Sequence, residues 1–450
     1  VARSRWIPAL AAVAVLAGCP PRDTCDASQE KLAVRAEAQD WYLYQDLLPA
    51  TVDPAVYATP SDLLDALTAE ARTQGKDRHW SFITTRQATQ QYYDAGQGVG
   101  FGIGLLVRGT SPALQLLVSQ VIPGSAAAGA GFLRGDEILA IGPDAAHLEP
   151  VLTHLADGSL GTLLPPPVAG EVRAFQVTPR GGGSPVVRTA TTRVYDLVPV
   201  PSHWISNGVG YVALRTFIST AEAPLRAAFQ EFKTAGVTSV VVDLRYNGGG
   251  LVSTAEVLAN LLGGGLAGRP MYSLELNSGH AAQDATLLFA TEPEAIPGTK
   301  VAFITTGASA SASELVVNVL DPYLSAALAG SSTYGKPVGQ YGLDLAPCGD
   351  VLFLIAFRLV NSLGHGDYYA GLPGGTGPFN APLCPAADDL TQPQDSALEA
   401  STAAALYWLA NGTCPPAPPA PAALLARSAA VTYPAAAAPS LAQRDIPGLF

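Results

Sequence analysis

The sequence predicts an α/β protein of more than one domain, and three observations carry that prediction. Its 450 residues exceed what a single hydrophobic core usually organises. From about Gly208 onward, apolar strand runs alternate with amphipathic stretches, the order that builds a sheet covered by helices. Upstream the texture is different: polar helical patterning gives way near Gly96 to glycines and short β-branched runs. Charged residues make up only 14% of the chain and the formal net charge is −12, so no basic surface is available for phosphate backbones, and nucleic acid is excluded as a partner. Hydrophobic residues reach 48% despite 45 Gly and 37 Pro, which fits a turn-rich globular protein rather than a disordered one.

Residues 1–19, VARSRWIPALAAVAVLAGC, place Arg3 and Arg5 before an apolar stretch too short to span a bilayer, the pattern of an export signal. The ending LAGC resembles the lipobox of bacterial lipoproteins. That resemblance implies lipid on Cys19, hence a membrane partner and a bacterial cell-envelope location, periplasm-facing or in the outer membrane. Four further cysteines in an exported chain suggest two disulfides, with three connectivities possible. The favoured pairing joins Cys348 to Cys384 and Cys25 to Cys414, the second tying the two ends together. With no CxxC or HExxH and six scattered histidines, neither a metal nor a cofactor is expected.

Residues 20–96 read as a small helical domain, clearest in SDLLDALTAEARTQ, where Ser61 can cap and Leu63, Leu64, Leu67 and Ala71 share a face. Residues 97–198 follow with three or four short strands around one helix. GVGFGIGL, together with VIPGSAAAGAGFLRGDEILAIG, resembles a PDZ domain. The resemblance implies that Gly100, Phe101, Gly102, Ile103 and Gly104 form a peptide-binding loop, which would add a peptide as a strand and capture its C-terminal carboxylate. After a linker at residues 199–206, the α/β core extends to residue 414. It begins with the strand GVGYVALRTF, and STAEAPLRAAFQEFKTAG then reads as a helix with a Ser219/Glu222 capping box and an apolar face of Leu225, Phe229 and Phe232. The strand VTSVVVDL, the loop RYNGGG, a helix over residues 251–262 and the strand KVAFITT come next. Residues 415–450, rich in Pro and Ala, read as a disordered tail.

TTGASASASELVVNVL has more hydroxyls than a helix cap needs. Small neighbours keep Ser311 open to a substrate, and a hydroxyl at a helix N-terminus sits where the dipole favours developing negative charge. A nucleophilic serine needs a base, and Lys336 lies 25 residues on. A helix of about ten residues and a returning strand of about five each cover roughly 15 Å, so the two can meet. At its ordinary pKa a lysine is neutral in about one molecule in 2,500 at pH 7, so this role requires burial that lowers the pKa by roughly three units.

SASASELVVNVL followed by GSSTYGKPVGQ resembles the signature of the carboxyl-terminal processing, or tail-specific, serine proteases. That resemblance implies a Ser311–Lys336 dyad with Gln340 orienting the lysine, and DLRYNGGG matches a further family element. Gly249 or Gly250, with the Ala312 backbone, would form the oxyanion hole. The implied core is crotonase-like or ClpP-like, and the partners are protein or peptide substrates with free C-termini. Two positions depart from the family: Pro337 stands where it usually has Gly, and Gly248 replaces the proline common before the paired glycines. His365 near Asp367 leaves a Ser-His-Asp site open as an alternative. The competing functional class is a catalytically silent, lipid-anchored peptide-binding scaffold.

Overall fold

A computed structural model describes residues 25–298, 300–346, 348–416 and 439–450. Cys19 and the export signal lie outside the described residues. The core sheet runs in the order Ser202–Ser206, Val209–Ala213, Ser239–Asp243, Lys300–Thr305, Ser325–Gly330 and Leu383–Pro385. From Val209–Ala213 onward its neighbours pair in parallel. The stretch expected as a linker therefore ends in an antiparallel edge strand, because Ser202–Ser206 finds a partner in Val209–Ala213.

Alternation along the strands sorts the side chains to two faces. Val212, Val240, Val242, Val301, Phe303 and Leu328 pack under the helices Glu222–Thr234, Val252–Leu262 and Ala312–Leu320. Tyr211, Val241, Ala302, Ile304 and Ala327 face the helix Ala400–Asn411 through Trp408 and Leu409. Leu225, Phe229 and Phe232 are buried as their helical spacing requires. The cap of their helix differs from the sequence reading, since a 3₁₀ turn, Ser219–Ala221, leads into it and the Ser219 hydroxyl donates to the Tyr93 carbonyl at 2.6 Å. Near the N-terminus, Thr59 rather than Ser61 caps the helix Pro60–Leu67, in a capping box with Asp62, because Pro60 takes the first helical position.

A second sheet is built on the long strand Asp350–Asn361, which pairs with Phe82–Thr85, Pro270–Leu276 and Val338–Leu345. The helices Ala27–Trp41 and Pro60–Leu67 share a core with it: Val34, Ala38, Leu63, Leu64 and Leu67 meet Val338, Leu345, Leu352 and Leu354. That packing brings Trp80 to the strand carrying Gln340. A third sheet, Ile103–Arg108, Gln115–Val121, Glu137–Gly142, Val172–Thr178 and Val186–Thr191, closes around its own core of Ile103, Leu116, Ile138 and Phe175.

The disulfides are Cys25–Cys348 and Cys384–Cys414, which corrects the expected pairing. Cys25 precedes the first helix, which packs on the hairpin whose turn carries Cys348. Cys384 lies on an edge strand covered by the helix that leads into Cys414. The tail expectation also needs correction at its far end: residues 417–438 lie outside the described residues, but a short helix, Leu441–Asp445, follows them and is docked on the protein.

Candidate active site

The surplus of hydroxyls after the strand Lys300–Thr305 is resolved by their partners. The Ser309 hydroxyl donates to the Leu244 carbonyl at 2.8 Å and accepts the Thr306 N–H at 3.0 Å, while the Ser313 hydroxyl donates to the Asn247 carbonyl at 2.8 Å. Two serines thus fasten this loop to the neighbouring loop over residues 244–250. Ser311 stands between them as the N-cap of Ala312–Leu320, at φ 55° and ψ −114°. A non-glycine residue at positive φ costs on the order of 1–3 kcal/mol, and here the two fastened loops hold it.

Glu314 ties this turn to the segment carrying Lys336. Its buried carboxylate accepts the N–H of Ser311 at 2.9 Å, of Gly335 at 2.8 Å and of Lys336 at 2.8 Å, and the Thr333 hydroxyl at 2.5 Å. Burial pushes the Glu314 carboxyl up, and these donors pull against that rise. The backbones of Ser311 and Lys336 are therefore positioned by the same carboxylate oxygen, Glu314 Oε2.

The Lys336 amine donates to Gln340 Oε1 at 2.5 Å, and Gln340 Nε2 donates to the Trp80 carbonyl at 2.6 Å, which fixes the amide with its oxygen toward the lysine. The amine also lies 5.9 Å from the centre of the Trp80 ring. Part of Lys336 stays open to the cavity, yet its amine is removed from bulk water: burial lowers its pKa from the usual 10.5 to about 8, against an opposing pull from Asp445. Ser311, Lys336, Gln340 and Gly250 line one cavity together with Tyr341, Phe353 and Asp445. Among the described residues, the hydrogen bond of the Lys336 amine goes to Gln340 rather than to Ser311.

The glycine loop is anchored from below by Arg245, fully buried against Asp243 at 2.9 Å, Glu399 at 2.8 Å and Asp388 at 3.4 Å. Burial would raise the Asp388 carboxyl, but Arg134 and Arg245 bring it down to about 2. Above this anchor, Gly249 at φ 124° lies so close to the serine turn that a Cβ there would stand 2.9 Å from Ser311 Cβ and 3.3 Å from the Ala312 nitrogen. The Gly249 N–H donates to Asn247 Oδ1 at 3.0 Å, so it must be shared or released to serve an oxyanion. Gly250 is held in a bridge with Phe217.

His365 is structural. Its Nδ1 meets Asn318 Oδ1 at 2.7 Å and its Nε2 meets the Gly374 carbonyl at 3.1 Å, while Asp367 pairs with Arg358 at 3.2 Å. The loop over residues 100–104 lies at the edge of the third sheet, where the Ile103 and Leu105 N–H groups donate to the carbonyls of Phe450 at 3.0 Å and Gly448 at 2.7 Å. Trp80, the clamp by Glu314 and the buried Asp445 escaped the sequence reading. Only Glu314 had a local signal, three residues after Ser311 in a capping-box spacing.

Residues 208–366 match peptidase family S41 and residues 29–82 match the peptidase S41 N-terminal domain. A chloroplastic C-terminal processing peptidase of Tetradesmus obliquus is 28% identical over 289 residues, covering 60% of this chain and 58% of its own length. A carboxyl-terminal-processing protease of Synechocystis is 25% identical over 260 residues, covering 57% of each chain. The chain thus spans under three-fifths of the length of these relatives. A crystal structure assigned to the S41 proteases, from Bacteroides fragilis, superposes with a TM-score of 0.65 over 85% of this chain and 97% of its own at 24% identity, a likeness of fold.

Proposed function

The chain belongs to peptidase family S41, and from that premise we propose that it is a serine endopeptidase that cuts exported proteins or peptides by a Ser311–Lys336 acyl-enzyme mechanism. The observation that carries the reading is the lysine: its amine is drawn down to about 8 by burial, oriented by Gln340, and shares a cavity with Ser311. Neutral Lys336 accepts the Ser311 proton as Oγ attacks a peptide carbonyl. The oxyanion is stabilised by backbone N–H groups of Ala312 and the glycine loop, Gly249 and Gly250 being the candidates. The lysine then returns the proton to the leaving amine, and water attacking the acyl-enzyme restores Ser311.

Under the same proposal, the third sheet is a PDZ module that presents substrates by strand addition at the loop over residues 100–104. Two disulfides suit an oxidising compartment, which supports an exported protein in the bacterial cell envelope, lipid-anchored through Cys19. The test is incubation of the full chain and its Ser311→Ala variant with unfolded casein. Cleavage by the parent alone supports the proposal; equal cleavage by both removes Ser311 from the mechanism.

A further inference from the structure

Residues 440–450 connect the two sites described above. At one end they add an antiparallel strand to the edge of Ile103–Arg108. The Phe450 N–H donates to the Ile103 carbonyl at 2.8 Å, the Ile103 N–H returns the bond at 3.0 Å, and the Leu105 N–H donates to the Gly448 carbonyl at 2.7 Å. Gly104 faces Leu449 in this pairing, and a Cβ on Gly100 would stand 2.8 Å from the Phe450 carbonyl carbon, so the loop's lack of a side chain makes room for this occupant. Leu441, Ile446 and Leu449 are buried against Tyr92, Ile122, Tyr195 and Ile218.

At the other end the segment crosses the catalytic cavity. The Gly248 N–H donates to the Asp445 carbonyl at 2.7 Å, and a Cβ at Gly248 would stand 2.8 Å from the Arg444 carbonyl oxygen and 3.1 Å from Pro447 Cδ. A proline at position 248 would have neither the space nor the N–H, so the departure from the family pattern is what admits the segment. Asp445 lines the cavity that holds Ser311 and Lys336. The Arg444 guanidinium lies 3.6 Å from the Phe82 ring centre. The fit is less complete at this end: among the described residues, Arg444 Nε is buried without a hydrogen-bond partner, although the Asp445 carboxyl is met by the hydroxyls of Tyr92 and Tyr93. An unsatisfied buried donor is costly, so the crossing is held less firmly at Arg444 than along the strand it continues into.

We infer that residues 440–450 are a built-in competitor, occupying the peptide groove and the catalytic cavity together and yielding both to an extended peptide with apolar residues where Leu449 and Phe450 now sit. The inference rests on the peptidase reading for its catalytic half, whereas groove occupancy stands without it.

The experiment uses the full chain, Leu449→Asp and a second variant lacking residues 439–450, with thermal unfolding to establish that each is folded. The probe is a fluorescein-labelled peptide, LAQRDIPGLF, copied from residues 441–450. In Ser311→Ala backgrounds, the emptied variants bind the probe at least tenfold more tightly than the parent does. With active chains, the emptied variants raise kcat/KM on an unfolded substrate at least tenfold, and the free peptide inhibits them more strongly than the parent. Equal probe binding by parent and variants overturns the occupancy. Tighter binding with unchanged kcat/KM overturns the competition at the catalytic cavity. If no chain cleaves while probe binding still differs, the peptidase reading fails, competition for catalysis fails with it, and groove occupancy stands.

Discussion

Raising the pH tests the lysine most informatively. With a pKa of about 8, Lys336 is neutral in about 9% of molecules at pH 7 and about 91% at pH 9, so kcat/KM rises about tenfold across that range, is half-maximal near pH 8 and levels off above it. A lysine left at 10.5 would be neutral in about 0.03% at pH 7, would gain about a hundredfold by pH 9, and would still be climbing. The range also avoids Asp445, whose carboxyl burial pushes up to about 6, with the Lys336 charge pulling the other way. The assay is kcat/KM on an internally quenched peptide with no group titrating between pH 6.5 and 10, measured on the intact chain. A unit slope persisting to pH 9.5 would refute the reasoning, because it would mean that the amine is as hydrated as a surface lysine.

Two substitutions probe the supports of the site. Gly249→Ala places a Cβ 2.9 Å from Ser311 Cβ at a φ that side chains avoid, so kcat falls by about a hundredfold, the order of a lost oxyanion donor, while circular dichroism keeps the parent's signal. Arg245→Ala leaves Asp243, Asp388 and Glu399 without their shared cation and lowers stability by about 3–5 kcal/mol, read as an earlier urea midpoint.

Ser311, Lys336 and Gln340 could be named as candidates because the resemblance lies in two short local patterns, and the structure brings all three to one cavity; the alternation that built the core sheet was legible for the same local reason. Trp80 was not, since its carbonyl reaches Gln340 across 260 residues of sequence and nothing in either segment announces the other. The disulfide partners were hidden for the same reason: Cys25 meets Cys348 only because the first helix packs on the Val338–Leu345 hairpin. In the tail, Pro/Ala composition outweighed a handful of apolar residues, of which Ile446 and Leu449 turn out to be almost wholly buried. Gly248 was visible as a departure, but its meaning required seeing which chain passes over it.

The most direct measurement is the mass of the enzyme after reaction with a fluorophosphonate, followed by peptide mapping of the adduct. A single phosphonyl group is expected on Ser311, formed faster as the pH rises through 8 and nearly absent in Lys336→Ala. An adduct on another serine, or labelling of Ser311 at an undiminished rate without Lys336, would contradict it.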